Sequence, residues 1–242
     1  SPENNKIIYS YLNKFFERKF YQNASKIIFT HNEVAELHKE KFNIDSSKIV
    51  IGYPIALLND DIINNSLSFN YNENPLKIGY FGAFTKSVRE PNNYIINIAN
   101  FFDDNLMHEW YINEESKKYF SLINDTTHHQ FFDILPRKQA LEVMVNKIHI
   151  LLSIGNFNKY QMPSKVIEYL SLGKPVLHYA EIIDDPLYNF EVLFDNLKII
   201  NSKTTKNELE NYFEYIKEKR LELNFETFNN IFSPSKLIDE LI

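Results

Sequence analysis

The chain has no cysteine, only five glycines, more acids than bases and no long apolar run. Without cysteine there is no disulfide scaffold and no thiolate chemistry, which fits a reducing compartment. The formal net charge of −6 supplies no basic field, so general nucleic-acid binding is excluded. No run approaches the ~20 apolar residues that a transmembrane helix needs. No stretch reads as a signal peptide. The chain starts Ser1-Pro2 rather than with Met, and reads as a fragment. Neither G-x-G-x-x-G nor a P-loop pattern occurs, which argues against a classical NAD site. Asp-x-Asp is also missing, in agreement with chemistry that needs no metal. His128 and His129 are adjacent, so on a strand they point to opposite faces and do not make a metal pair.

What remains is a chain of 242 residues, 44% hydrophobic and 24% charged, long enough to bury a substantial core. Gly52, Gly79, Gly82, Gly155 and Gly173 all fall within or at the edge of a strand or helix signal. Residues 1–58 read helix, strand, helix, strand, as a partial N-terminal α/β segment. Tyr9, Leu12, Phe16 and Phe20 have helical spacing, KIIFT (26–30) is a short buried strand, 32–41 is helical, and KIVIG (48–52) is a second strand. Residues 59–75 are polar and turn-rich and read as a linker. From 76 to 242 strands alternate with helices. Strands are expected at 76–81, 109–112, 131–135, 148–154, 175–179 and 198–200. Helices are expected at 92–102, 114–122, 137–146, 163–172, 184–191, 205–222 and 233–241. That alternation implies βαβ units and a doubly wound parallel sheet of order 3-2-1-4-5-6.

The most informative stretch is Met162–Leu177, MPSKVIEYLSLGKPVL. Pro163 suits the first helical position, and Val166, Ile167 and Leu170 mark the buried face. Gly173 suits the position just past the helix end, and Lys174-Pro175 blocks continuation before a strand. Lys165 is out of place, because a cation in a first helical turn is unfavourable by about 0.3–1 kcal/mol. A lysine and free N–H groups at a helix start are most useful when an anion sits there.

In a doubly wound sheet, ligands bind beyond the carboxyl ends of strands one and four, where the winding reverses. Gly82 and Gly155 end those strands, and the Lys165 helix opens on the same crevice. Lys86 and Arg89 are expected as mobile cations at its mouth, and Lys165 with Ser164 at the helix start, all suited to a diphosphate. Ser153, Ile154, Gly155 and Asn156 would present backbone N–H groups. Glu168 could accept two hydroxyl hydrogens, as a ribose diol offers. Leu135-Pro136 would form an apolar edge for a base. Each of these residues also has a plain reading, as a solvated loop, a turn or a helix face.

The pattern P-S-K-x-x-E-Y-x-x-x-G-K-P-V at 163–176, with the Gly82 loop, resembles the nucleotide-sugar-binding half of GT-B glycosyltransferases, the group 1, retaining-type family. The resemblance covers about 70–235. Residues 1–58 resemble the end of that family's N-terminal, acceptor-side domain. It implies a Rossmann-like domain in which Lys86, Arg89 and Lys165 hold the donor diphosphate. Glu168 then matches the second acid of the family's E-x7-E motif, which binds the ribose. Tyr160 stands where the first acid belongs, so the sugar contact is not carried over and no catalytic residue is assigned. The implied reaction moves a sugar from a nucleoside diphosphate sugar to a carbohydrate or lipid-linked acceptor hydroxyl, in cell-surface polysaccharide or glycolipid synthesis, with no cofactor. Two alternatives remain: a nucleotide-sugar 2-epimerase-like isomerase of the same fold, and a non-catalytic nucleotide-sugar-binding module. The expected location is cytoplasmic. The aromatic and basic segment at 9–21 reads either as an ordinary amphipathic helix or as a weak membrane-surface contact that would make the protein peripheral.

Overall fold

The computed structural model describes residues 11–56, 70–99, 105–123, 126–218 and 224–241. The beginning of the expected first helix and residues 59–69 of the expected linker lie outside the described residues. A small unit comes first: α1 (Tyr11–Asn23), β1 (Ile27–Phe29), α2 (Asn32–Phe42) and β2 (Ile49–Ile51). Its two strands pair in parallel, and Ile27, Phe29, Ala35, Phe42 and Ile44 bury between them and the helices. Asn43, in left-handed backbone at φ 53°, ends α2.

The larger unit runs β3 (Leu76–Phe81), α3 (Asn92–Asn97), β4 (Leu106–Tyr111), α4 (Glu114–Lys117), β5 (His129–Phe132), α5 (Arg137–Asn146), β6 (Ile150–Ile154), α6 (Ser164–Ser171), β7 (Val176–Tyr179), α7 (Tyr188–Glu191) and β8 (Leu197–Ile200). Helices α8 (Lys206–Glu218), α9 (Phe225–Phe232) and α10 (Pro234–Leu241) follow. Its six strands are all parallel in the order β5-β4-β3-β6-β7-β8, which is the doubly wound order expected. The winding reverses between β3 and β6. Every residue of β6 and β7 is buried, as parallel strands covered on both faces must be. Ile78, Tyr80, Leu152 and Tyr179 face a core with α3 and α8, whereas Phe81, Leu151 and Val176 face one with α5, α6 and α9.

Four of the differences from expectation have a local reason. β4 begins three residues earlier than its polar sequence suggests, because His108 and Glu109 are buried with partners. His108 bonds the Tyr94 hydroxyl at 2.7 Å, and Glu109 accepts from the Tyr111 hydroxyl at 2.6 Å and pairs with Lys77 at 3.4 Å. Pro163 precedes α6 rather than opening it, at ψ 91°. The helix expected at 184–191 shortens to α7 because Asp185 turns the chain, accepting the Leu187 N–H at 2.9 Å. Helix α9 was not foreseen. The Asn224 side chain caps it at the Thr227 N–H, 2.9 Å away, and buries Phe228 and Phe232.

The C-terminal helices connect the two sheets. The Tyr53 ring lies 5.3 Å from Phe190 and 5.9 Å from Phe232, and Leu237 of α10 abuts Gly52 beside β2. Among the described residues, no helix is long and apolar enough to cross a membrane.

Candidate functional site

The carboxyl edge of the sheet carries a cavity of about 390 Å3 where β3, β4, α5 and α6 meet. That is within the size range of small-ligand sites. Phe81 and Tyr111 stack face to face at 4.4 Å along it, and Ile134, Leu135 and Met144 give it apolar walls. Gly82, Lys165, Glu168 and Arg137 make its polar end. An apolar slot with one cationic end is suited to a base at one side and an anion at the other.

Gly82 has φ +149°, a conformation side-chain-bearing residues rarely adopt, and its N–H donates to the Tyr111 carbonyl at 3.0 Å. Lys165 reaches across from α6 and donates to the Phe81 carbonyl, so that its ammonium covers Gly82. A Cβ at Gly82 would strike that ammonium. Burial lowers the Lys165 pKa, the nearby Arg89 charge lowers it further, and Glu168 pulls it back up. Lys165 therefore brings a cation to the cavity with a second, Arg89, near enough to repel it, an arrangement that suits an anion.

Arg89 and Lys86 sit on the loop after β3. The loop was expected to be mobile, but its backbone closes on itself. Thr85 and Arg89 exchange hydrogen bonds of 3.0 and 2.9 Å, and the Ser87 N–H donates to Glu90 at 2.6 Å. The Phe157 N–H donates to the Val88 carbonyl at 2.8 Å, which ties this loop to the one after β6. Lys86 is exposed in the turn, whereas the Arg89 Nε is buried without a hydrogen-bond partner among the described residues. Ser164 is exposed at the first turn of α6, which has no side-chain cap. The first-turn N–H groups of α6 thus have no side-chain acceptor.

Glu168 lines the cavity, and one of its oxygens accepts from Arg137 at 3.3 Å. Arg137 was not singled out from sequence. It follows Pro136 at the start of α5, and only the fold brings it opposite Glu168. Pro136 is exposed between Leu135 and Arg137, both of which line the cavity.

The strand-four exit is built differently from expectation. The Gly155 N–H donates to the Tyr179 carbonyl at 2.8 Å and is not offered to a ligand. Asn156 is buried and donates to the Gln161 carbonyl at 2.7 Å, as a turn residue. Ser153 is buried, its hydroxyl 3.1 Å from His178 Nδ1, and His178 Nε2 lies 3.2 Å from Asp185. Asp185 in turn sits where a Cβ on Gly155 would come within 2.8 Å. Internal partners consume the polar groups here, because the chain after β7 folds back over them.

Tyr160 is exposed, with no acid at its place in the sequence. The small unit approaches this loop, with His31 Nε2 2.8 Å from the Lys159 carbonyl. On α1, Phe15, Phe16 and Phe20 are more than half exposed, at 52%, 63% and 66%.

No family model and no curated protein matches the chain. Solved structures do. A glycosyltransferase from Rickettsia africae ESF-5 aligns with a TM-score of 0.69 at 12% identity, over 93% of this chain and 64% of that one. HepE from Anabaena, in complex with UDP and glucose, aligns with a TM-score of 0.53 at 13% identity, over 100% of this chain and 64% of its own. WaaG, a glycosyltransferase involved in lipopolysaccharide biosynthesis, gives 0.52 at 13% identity, over 85% and 62%. The chain spans less than two thirds of the length of these structures. At such identities the likeness shows the fold, which is that of the GT-B glycosyltransferases.

Proposed function

We propose that this chain forms the donor-binding part of a glycosyltransferase. It takes a nucleoside diphosphate sugar and serves transfer of the sugar to an acceptor hydroxyl in polysaccharide or glycolipid synthesis. The observation that carries the reading is the cationic end of the cavity. Lys165 covers Gly82 at the open start of α6, beside an apolar slot and Glu168, and Arg89 is near enough to act on its charge. In the reaction, the bond from the anomeric carbon to the diphosphate oxygen breaks and one forms to the acceptor oxygen, which loses its proton. The leaving diphosphate gains negative charge. Lys165, Arg89 and the first-turn N–H groups of α6 are placed to stabilise that charge without a metal ion. In this reading Ser164 and Lys86 add contacts to the diphosphate, and Glu168 accepts hydrogen bonds from the ribose.

The solved neighbours lend support from outside, since HepE is described with UDP and glucose and WaaG with lipopolysaccharide biosynthesis. Gly155 is left out of the ligand contacts because its N–H already has a partner, and Asn156 because its side chain does.

A thermal-shift panel of UDP, GDP, ADP and CMP tests the binding claim, followed by nucleotide release from the matching donor with and without a carbohydrate acceptor. We expect one nucleotide to raise the melting temperature, and release to depend on the acceptor. Conversion of the donor sugar with no acceptor present would contradict transfer and favour an isomerase.

A further inference from the structure

Three buried polar atoms on the segments that follow β3 and β7 lack hydrogen-bond partners among the described residues: Arg89 Nε, Asn92 Oδ1 and Glu181 Oε1. A buried polar group left unpaired costs free energy, so three in one neighbourhood call for an explanation. Arg89 and Asn92 are near in sequence, and the fold brings Glu181 to them. Glu181 follows β7 and accepts from Asn93 at 2.7 Å through its other oxygen. Asn92 donates to Glu90 at 3.4 Å. Burial pushes the Glu181 pKa upward, the Asn93 hydrogen bond pulls it back, and the Glu90 charge adds a smaller push upward.

The chemistry of the three atoms is asymmetric. Arg89 Nε is a donor that lacks an acceptor, whereas Asn92 Oδ1 and Glu181 Oε1 are acceptors that lack donors. A phosphate oxygen would satisfy the first, and sugar hydroxyls would satisfy the other two. Pairwise neighbours link these atoms to the cationic end of the cavity: Arg89 acts on Lys165, Glu90 acts on Glu181, and Asn93 bonds Glu181. All three residues keep part of their surface open, so a side-chain rotation brings the unpaired atom to a ligand.

We infer that Glu181, held by Asn93 and flanked by Asn92, is the acceptor of hydroxyl hydrogen bonds from the transferred sugar. It takes over the contact for which Tyr160 supplies no carboxylate. This rests on the proposed donor site, because it places the sugar by the diphosphate that Lys165 and Arg89 hold.

The test compares two ligands on one protein. Calorimetry measures the nucleoside diphosphate that stabilises the wild type, and then the corresponding nucleoside diphosphate sugar, on wild type, Glu181→Gln and Asn92→Ala. Unchanged thermal unfolding confirms that each variant is folded. We expect Glu181→Gln to leave the diphosphate affinity within about twofold and to weaken the sugar donor by about tenfold or more, the loss of a charge-assisted hydrogen bond. Asn92→Ala should do the same to a smaller degree. Equal loss for both ligands, or no change for the sugar donor, overturns the role of Glu181 and leaves the diphosphate site standing. Absence of any nucleotide binding by the wild type overturns both.

Discussion

Lys165 and Lys174 belong to one helix–turn–strand segment, and both aim an ammonium at a strand-end carbonyl. Lys165 donates to Phe81 at the carboxyl edge of the sheet and Lys174 to Ile148 at the amino edge. Their surroundings differ. Lys165 is half-buried, shares its space with Arg89 and borders a cavity. Lys174 is fully buried, its backbone carbonyl is held by Asn196 at 3.0 Å, and burial alone pushes its pKa down to about 7. The same residue type thus borders an open cavity at one edge and is sealed into the structure at the other. What separates them is whether the chain folds back over the ammonium.

The largest effect expected from this contrast concerns pH. Lys174 titrates near 7 when folded and near 10.5 when unfolded. Between those values the unfolded chain holds a proton that the folded one has lost, so stability rises with pH across that window. Below about 7 both forms are protonated and the cost of burying the charge is present in full. His149 nearby, with its pKa held down at about 4, stays neutral throughout. Chemical denaturation at pH 7 and pH 9 should show Lys174→Met losing up to about 1.4 kcal/mol of that gain per pH unit. Lys165 adds to the wild-type slope in the same direction, so the variant keeps a remainder. An identical slope in wild type and variant would mean that Lys174 keeps its proton when buried across that range.

The two glycines at the carboxyl edge sharpen the contrast. A Cβ at Gly155 meets Asp185 at 2.8 Å and the Tyr179 backbone oxygen at 3.0 Å, neither of which can retreat cheaply. Gly155→Ala should cost about 1–3 kcal/mol of stability through overpacking, read as a lower melting temperature. Its nucleotide affinity when folded should be unchanged. Lost affinity at full stability would mean that Gly155 touches the ligand after all.

Much of this was legible in the sequence where the signal is local. The alternation of buried strands and helices fixes the sheet order, Gly173 stops α6 at φ +68° as expected, and the misplaced Lys165 points to the crevice. What could not be read depends on chain crossings. Arg137 and Glu181 look like ordinary surface charges until α5 and the end of β7 are set beside α6 and α3. Gly155 looked open because Asp185, which closes it, comes thirty residues later. His108 hid the start of β4 because its partner, Tyr94, is what allows it inside.

The central claim is that the Lys165 end of the segment binds a diphosphate. Calorimetric titration of the stabilising nucleoside diphosphate into wild type, Lys165→Ala and Glu168→Ala tests it most directly. Each substitution should weaken binding by about 1.5–3 kcal/mol, the scale of a lost charge-assisted contact. Lys165→Ala should also leave the protein as stable as the wild type or more so, since it removes a desolvated cation beside Arg89. Unchanged affinity in both variants would contradict the account.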